Sequence, residues 1–362
     1  MNFASDNTAG VAPEILAAIK RANEGSAAAY GADAVSRRLD RRFGDFFEHP
    51  VRVFPVATGT AANALALAVL APPWGAIYAH EEAHVATDEC GAPEFFTGGA
   101  KVVTVAGGNA KIAAKELARQ LDAQVTRVPH NVNPAAVSLS QATEAGTVYT
   151  PDEVAAVAAV AAKRGMKLHM DGARLANALV HLGCRPAEIT WQAGVDALSL
   201  GFTKNGALAA EAVVFFGAVD ADQVAYRRKR GGHLFSKMRY ASVQLEAMLE
   251  GDLWRKLAGH ANAMADALAR GLRAVPGAQI VHPVEANEVF VLVPERAARA
   301  FEQAQVGAHR WNTGTPAMFR FVTAFDTKLA DVCRAITIAR STIARSAAGA
   351  AGPHPRRRRR GA

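Results

Sequence analysis

Cysteine is scarce in this sequence, and long hydrophobic runs are missing from it. Among 362 residues only three are cysteines, Cys90, Cys184 and Cys333. Because they are far apart and odd in number, they favour reduced thiols over a disulfide framework or a metal cluster. No apolar run reaches the roughly 18 residues of a membrane span, and residues 1–6 lack the basic and apolar regions of a signal peptide. The sequence therefore predicts a cytoplasmic protein with no membrane partner.

Excess positive charge is also sparse in the body of the chain. The formal net charge is +8, but five of these charges are the arginine run 356–360, which leaves +3 elsewhere. The run follows a stretch rich in alanine and glycine that cannot build a core, so residues 346–362 are predicted to form a disordered basic tail. A solvated tail with incidental polyanion affinity is favoured over a dedicated nucleic-acid-binding arm.

The length and the order of patterns predict two domains. Half of the residues are hydrophobic and a fifth are charged, as in globular proteins. A chain of 362 residues is too long for one ordinary core and suits a large domain with a smaller one. Strand-like and helical segments alternate through residues 51–216, which is typical of a doubly wound sheet. We therefore expect a large domain at 21–250 and a small α/β domain at 251–345.

Two short apolar strands in the middle of the chain end near reactive side chains. Asp171 ends the first strand, and Lys204 lies just past the second. Both can point at the carboxyl edge of a parallel sheet, where open α/β folds bind their ligands. Such a pair suits a pyridine aldehyde. The lysine would hold it as a Schiff base, and the acid would keep the ring nitrogen protonated so that the ring can accept electrons from a bond broken at the substrate Cα.

A turn of small residues follows the strand-like run 51–56. The turn reads TGTAAN at 58–63 and leads into a helix. Free amide groups at the positive end of a helix suit a phosphate group. An ordinary N-cap formed by Thr58 or Thr60 explains the turn equally well when it is considered alone. Its interpretation as a phosphate site therefore depends on Asp171 and Lys204.

Residues 80–84 read HEEAH, which formally matches a zinc-hydrolase pattern. A zinc site would need this segment inside a helix and a third protein ligand further on. Here the segment follows a short strand, and no third ligand at a familiar spacing is evident. Zinc binding through His80 and His84 is therefore the weaker interpretation. His84 is better used as a flat ring laid over a flat cofactor, with a surface histidine in a turn as the alternative.

Several short motifs follow one another in a fixed order: SDNT at 5–8, YGAD at 30–33, TGTAAN at 58–63, His84, DGAR at 171–174 and TK at 203–204. In this order they resemble the motifs of the threonine aldolases, which are fold-type I enzymes dependent on pyridoxal phosphate. The resemblance extends from Ser5 to about residue 325. It implies an α/β protein with a large, doubly wound, mostly parallel sheet domain and a smaller C-terminal α/β domain.

The same resemblance implies a role for each motif. Gly59 and Thr60 would hold the phosphate, and Arg174 would lie near the phenolic oxygen. His84 would stack on the ring, Asp171 would pair with the ring nitrogen, and Lys204 would form the imine.

Substrate contacts are also implied. Ser5 and Arg320 would bind the substrate carboxylate, because a guanidinium fork suits that anion. Tyr30 and Arg174 are further candidates for contact with the substrate. The N-terminal segment, residues 1–20, is expected to reach the active site.

The sequence departs from the family pattern at residues 143–146, which read TEAG. Many threonine aldolases have a histidine there that faces the substrate hydroxyl, and the form SQATE at 140–144 resembles a low-specificity branch. Two side chains could take the hydroxyl proton. His84 has an unperturbed pKa of about 6.5, whereas the pKa of Glu144 would have to be raised by burial from about 4.3. We therefore favour His84 as the base and expect Glu144 to orient a water or the hydroxyl.

A basic cluster occupies residues 227–239. A solvated helix face is one interpretation. The family resemblance implies instead a loop that reaches the phosphate of a neighbouring subunit, and hence a homo-oligomer with shared active sites. A dimer or a dimer of dimers, that is a homotetramer, is expected.

The predicted activity is retro-aldol cleavage of L-threonine-type β-hydroxy-α-amino acids into glycine and an aldehyde, with pyridoxal 5'-phosphate as cofactor. A β-eliminating lyase or an amino-acid racemase with the same cofactor remains open. A zinc hydrolase acting through His80 and His84, or a polyanion-binding protein that uses the arginine run, is a weaker alternative.

Overall fold

Two β-sheets organise the chain in this computed structural model, which describes residues 1–125, 127–312 and 314–350, with side chains as far as Ser341. The strands of the larger sheet are β1 (Arg52–Val56), β2 (Gly75–His80), β3 (Lys101–Val105), β4 (Asn133–Ser140), β5 (Lys167–Gly172), β6 (Ala197–Gly201) and β7 (Glu211–Phe215). Those of the smaller sheet are β8 (Gln279–Ile280), β9 (Glu288–Val293), β10 (His309–Arg310) and β11 (Ala317–Val322).

The larger sheet has seven strands in the spatial order β1-β7-β6-β5-β4-β2-β3. All pairs from β6 to β3 are parallel, whereas β7 runs antiparallel to both of its neighbours. Strands β2, β6 and β7 are buried along their whole length, which explains why they read as continuous apolar runs in the sequence. The prediction of a doubly wound, mostly parallel α/β sheet is confirmed.

Helices connect and cover the strands. They are α1 (Pro13–Ala22), α2 (Ala34–Phe47), α3 (Gly59–Leu70), α4 (His84–Thr87), α5 (Ala92–Thr97), α6 (Ala114–Ala123), α7 (Pro151–Ala162), α8 (Leu175–Leu182), α9 (Pro186–Ile189), α10 (Ala221–Arg230), α11 (Arg239–Leu249), α12 (Leu253–Arg273), α13 (Glu295–Gln303) and α14 (Leu329–Ala350). Within the described ranges, no helix is both long enough and apolar enough to cross a membrane.

The smaller sheet has the spatial order β10-β11-β9-β8 and is antiparallel. Its core includes Leu268, Val291 and Phe321, and also Phe3 from the start of the chain. The backbone N–H of Phe3 donates to the carbonyl of Gly307 at 2.6 Å, and the carbonyl of Phe3 accepts from Val322 N–H at 2.8 Å. The N-terminal segment is therefore held against the smaller sheet before it continues into α1.

Helix α14 runs to Ala350, past residue 346, at which the tail was predicted to begin. The arginine run 356–360 lies outside the described residues, so its predicted disorder stays a prediction.

Candidate active site

Asp171 and Lys204 lie together at the carboxyl edge of the larger sheet. Asp171 is the second-last residue of β5, and Lys204 is in the 3₁₀ turn Thr203–Asn205 that follows β6. Because β5 and β6 are parallel neighbours, with Asp171 opposite Ser199, the ends of both strands reach the same edge. Both side chains line one small cavity of about 70 Å³, together with Gly59 at the start of α3.

A second cavity of about 710 Å³ adjoins the first, and His84, Glu144, Arg174 and Lys204 line both. Eight of the predicted site residues line one or both of these cavities: Ser5, Gly59, His84, Glu144, Asp171, Arg174, Lys204 and Arg320. The larger cavity, the outer one, is also lined by Phe290, Trp311 and Met318 from the smaller sheet and its loops. Gly59 and Asp171 line only the smaller, inner cavity. The site thus lies between the two sheets.

The carboxylate of Asp171 is buried and held by two donors. Its Oδ1 accepts the backbone N–H of Ala173 at 3.0 Å, and its Oδ2 accepts Nδ2 of Asn63 at 2.7 Å. Asn63 lies on α3 and donates from the same Nδ2 to Oε1 of Glu89 at 2.7 Å. These contacts fix the direction in which the Asp171 carboxylate faces the cavity.

Glu89 in turn orients His84. The Nδ1 atom of His84 lies 2.9 Å from Oε1 of Glu89, whose side chain is fully buried while that of His84 is 40% exposed. The hydrogen bond to Glu89 is the main effect that raises the pKa of His84, and burial raises the pKa of Glu89. The pair therefore retains a proton to higher pH than a free histidine would. The other ring nitrogen and the ring face of His84 remain available to the cavity.

One of the two carboxyl oxygens of Glu144 is engaged in hydrogen bonds. Its Oε1 accepts the backbone N–H of His84 at 2.9 Å and the hydroxyl of Ser140 at 2.7 Å. Its Oε2 is buried and has no hydrogen-bond partner among the described residues. Burial raises the pKa of Glu144 to about 7. The sequence favours His84 as the base because the pKa of Glu144 would have to be raised by burial. In the structure Glu144 is buried and its pKa is raised, so this reason for preferring His84 no longer holds.

Arg174 is tied to the N-terminal segment. Its Nε and Nη2 donate to the two oxygens of Asp6 at 2.8 and 3.0 Å, and its Nη1 lies 3.5 Å from Oε2 of Glu288. Burial alone would raise the pKa of Asp6, but the charge and hydrogen bonds of Arg174 hold it below its usual value. Nδ2 of Asn287 adds a further donor at 3.0 Å. This fork holds the N-terminal segment at the site.

Ser5 and Arg320 face the outer cavity from opposite parts of the sequence. Ser5 caps the 3₁₀ turn Asp6–Thr8, and its Oγ accepts the N–H of Asn7 at 3.1 Å. Arg320 lies on β11 with its guanidinium 5.0 Å from the ring centroid of Trp311. The buried Nε of Arg320 has no acceptor among the residues described. Arg320 also lines the outer cavity, so its guanidinium group places positive charge there.

Two predicted residues do not line the cavities. Tyr30 is 53% exposed, and the ammonium group of Lys229 lies 4.7 Å from its ring centroid. Thr60 follows Gly59 on α3, while Thr58 is the N-cap and accepts the N–H of Ala61 at 3.1 Å. The first N–H groups of α3, including those of Gly59 and Thr60, have no acceptor inside the helix.

The HEEAH segment is not a continuous helix. Strand β2 ends at His80, and α4 begins at His84. Both ring nitrogens of His80 are engaged, Nε2 with the carbonyl of Gly107 at 3.0 Å and Nδ1 as acceptor of the Glu82 N–H at 3.1 Å. In the part of the chain that the structure describes, no group of three or more His, Cys, Asp or Glu side chains could hold a metal ion.

Sequence reasoning missed the partners that orient the site. Asn63 stands in the TGTAAN turn, and Glu89 follows His84 by five residues, but neither was singled out. Asp6 and Glu288 were missed as well. The available signal was Asn63 itself, a polar residue in the otherwise apolar run 61–70 of α3, because a buried asparagine needs partners for its amide.

The comparison with known proteins agrees with this geometry. Residues 2–296 match the family described as Beta-eliminating lyase. A low specificity L-threonine aldolase of Pseudomonas aeruginosa is 44% identical over 304 residues, and one of another Pseudomonas strain is 43% identical over 298. Each alignment covers 82% of this chain and 86% of the relative. The structure of a threonine aldolase of Leishmania major superposes with a TM-score of 0.87 at 28% identity, covering 94% of this chain and 99% of that one.

Proposed function

The chain belongs to the beta-eliminating lyase family of pyridoxal-phosphate-dependent enzymes, and we propose that it cleaves L-threonine-type β-hydroxy-α-amino acids into glycine and an aldehyde. Its fold is that of fold-type I enzymes. One observation carries the proposal: a single cavity brings Lys204, Asp171 and His84 together in a chain 43–44% identical to low-specificity L-threonine aldolases. The reaction is a retro-aldol cleavage, and the enzyme is an aldehyde-lyase.

The residues around the inner cavity fit pyridoxal 5'-phosphate. Lys204 supplies an amine for the aldehyde, Asp171 a buried carboxylate for the ring nitrogen, and His84 a flat ring for one face of the cofactor. At Gly59 an added Cβ would meet no atom within 4 Å, so the start of α3 is open to a phosphate group. We assign phosphate binding to Gly59 and Thr60.

Arg320 is the proposed partner of the substrate carboxylate. Arg320 and Ser5 both line the outer cavity, and the buried Nε of Arg320 has no acceptor among the described residues. Burial raises the pKa of Glu288, whose Oε2 has no hydrogen-bond partner among the described residues. Arg174, which Asp6 holds through two of its nitrogens, is proposed to lie near the phenolic oxygen of the cofactor and to contact the substrate.

When bound, the cofactor supplies a ring that accepts the electrons released as the Cα to Cβ bond breaks. The chain itself must take the proton of the β-hydroxyl group. We assign this step to Oε2 of Glu144, because that atom is unpartnered and the pKa of Glu144 is about 7. A general base works best when its pKa lies near the working pH. His84 then acts by stacking and by donating its backbone N–H to Glu144.

We also propose a homo-oligomer of at least two subunits. Arg228, on α10, is only 8% exposed, and its Nε and Nη2 contact no acceptor in the described part of the chain. Burial lowers the pKa of Arg228 to about 10. Nearby, Phe95 and Tyr226 are 80% and 77% exposed, as expected of a surface that another protein covers. An anion presented by a second copy would satisfy Arg228. The cytoplasmic location remains a prediction.

The test is product identification with purified holoenzyme. L-threonine and phenylserine should each yield glycine with acetaldehyde and benzaldehyde, respectively. Release of ammonia with a keto acid would instead indicate a β-eliminating lyase, and inversion at Cα without cleavage would indicate a racemase.

A further inference from the structure

Glu211 is a buried carboxyl group beside the site that the proposed chemistry does not use. It is the first residue of β7 and is 6% exposed. Because β7 is antiparallel to its neighbours, its first residue lies at the edge where β1 and β6 end. Glu211 is opposite Val56 on β1 and opposite Gly201 on β6. The two turns that follow these strands carry Gly59 and Lys204.

The carboxyl group of Glu211 contacts the lysine-bearing turn directly. Its Oε1 accepts the backbone N–H of Thr203 at 3.3 Å. Its Oε2 lies so close to Gly201 that a Cβ added to this glycine would come within 2.6 Å of it. The carboxyl group therefore occupies the space that a side chain at residue 201 would take. Burial raises the pKa of Glu211 to about 7, and the charge of Lys204 acts in the opposite direction.

We infer that Glu211 is a positioning residue for Lys204: its carboxyl group, seated over Gly201, holds the Thr203–Lys204 turn so that the amine reaches the cavity. Glu211 lines neither cavity and contacts Thr203, the residue before Lys204. The turn has other anchors on its far side, where Nδ2 of Asn205 donates to the carbonyl of Trp254 at 2.9 Å. The Thr203 hydroxyl accepts the N–H of Ala210 at 3.2 Å on the same connection. Glu211 is the side chain that holds the N–H of Thr203. This inference rests on the proposed function, in which Lys204 binds the cofactor aldehyde.

The experiment measures the rate at which pyridoxal phosphate and borohydride place a pyridoxyl group on Lys204, followed by peptide mapping. It needs no amino-acid substrate. Glu211→Gln keeps a side-chain oxygen for the Thr203 N–H and should stay within about twofold of the parent. Glu211→Leu loses that acceptor and should label about tenfold more slowly. Melting temperatures of the cofactor-free variants are measured in parallel.

Asp196 provides the matched control. Its Oδ2 accepts the backbone N–H of Leu168 at 2.8 Å at the opposite edge of the same sheet. Asp196→Leu should lower the melting temperature as Glu211→Leu does but leave Lys204 labelling of the folded protein unchanged. Equal labelling of Glu211→Leu and the parent, or an equal loss in Asp196→Leu, would overturn the inference.

Glu211→Asp covers the case in which the leucine variant does not fold. It keeps the acid but withdraws it by one methylene group from Thr203, so labelling should slow as in Glu211→Leu. Parent-like labelling of Glu211→Asp would contradict the inference. If the parent protein is labelled on another lysine, the proposed function fails and this inference with it. If the parent is labelled on Lys204 and the Glu211 variants are labelled at the same rate as the parent, only this inference is overturned.

Discussion

Lys204 is the residue on which the proposed chemistry depends most directly. The purified protein should be yellow, and borohydride should bleach the visible band by fixing the cofactor on this amine. Lys204→Ala should abolish turnover, because no other described lysine lines either cavity. Mass spectrometry of the reduced protein locates the label. A label on a different lysine would contradict the assignment.

Asp171 should matter almost as much. Removing one partner from a buried charge pair costs about 3 to 5 kcal/mol, so Asp171→Ala should lower kcat by about a hundredfold to several thousandfold. Asn63 and Ala173 hold this carboxylate. The other acid that lines the inner cavity, Glu144, is held by Ser140 and His84 instead. Steady-state kinetics with L-threonine at saturating cofactor measures the loss. Parent-like activity would mean that another group holds the ring nitrogen.

Glu144 gives a prediction with a defined direction in pH. A base must be ionised, so kcat/KM should rise as the pH increases through about 7, the pKa that burial gives Glu144. Glu144→Gln should lose far more aldol cleavage than His84→Asn while its cofactor spectrum stays unchanged. If His84→Asn is the deeper lesion, the histidine is the base, as the sequence alone had favoured.

The same carboxyl group makes folding depend on pH. Its pKa is raised in the folded state from 4.5 to about 7, so the folded protein binds this proton more tightly than the unfolded chain does. The resulting contribution to the free energy of unfolding is fully present below 4.5 and is lost as the pH rises through about 7. Urea unfolding of the cofactor-free parent should show this decline between pH 4.5 and about 7, and Glu144→Gln should lack it.

Among single residues, the sequence predicted those whose side chains have a distinctive chemistry of their own. Eight of them line the cavities. It did not predict Asn63 and Glu89, because their importance arises from the hydrogen bonds that join α3, β5 and the loop after α4. It favoured His84 over Glu144 because the pKa of a carboxyl group depends on burial, which only the folded structure defines.

Among the elements, helix α3 has a start that serves two purposes. Thr58 closes the helix end by accepting the N–H of Ala61, and the residues after it are open to a phosphate. Thr58→Ala should lower the free energy of unfolding by about 1 kcal/mol and should also weaken cofactor binding. Thr150→Ala is the control, since Thr150 caps α7 in the same way. No residue of α7 lines either cavity, whereas Gly59 at the start of α3 does. Equal effects of both variants on cofactor affinity would argue against a phosphate at α3.

The alternation of strands and helices was predictable, but the direction of β7 was not. The run 212–216 is apolar because it is buried on both faces, and a buried strand has the same pattern whether it is parallel or antiparallel. Its direction follows from the short connection after β6, which leaves no room for a crossover helix. That direction places Glu211 at the site, so the role of this residue could not be inferred from the sequence.

For the whole molecule, the active form should be at least a dimer. Sedimentation equilibrium of the holoenzyme should show no active monomer, because the exposed Phe95 and Tyr226 need a covering surface and Arg228 needs an acceptor. Arg228→Glu should weaken association, whereas Arg299→Glu on exposed α13 should not. An active monomer would contradict the proposal.

The contacts of Phe3 and Asp6 also determine when the site can form during synthesis of the chain. Phe3 pairs with Gly307 and Val322, and Asp6 pairs with Arg174. A growing chain on the ribosome therefore carries Phe3 without its full set of partners until the last strand, β11, has emerged, whereas Arg174, the partner of Asp6, emerges much earlier. The site can be completed only after nearly all of the polypeptide has been synthesised, so a prematurely terminated chain that lacks β11 would leave Phe3 without its core and Ser5 without a fixed position.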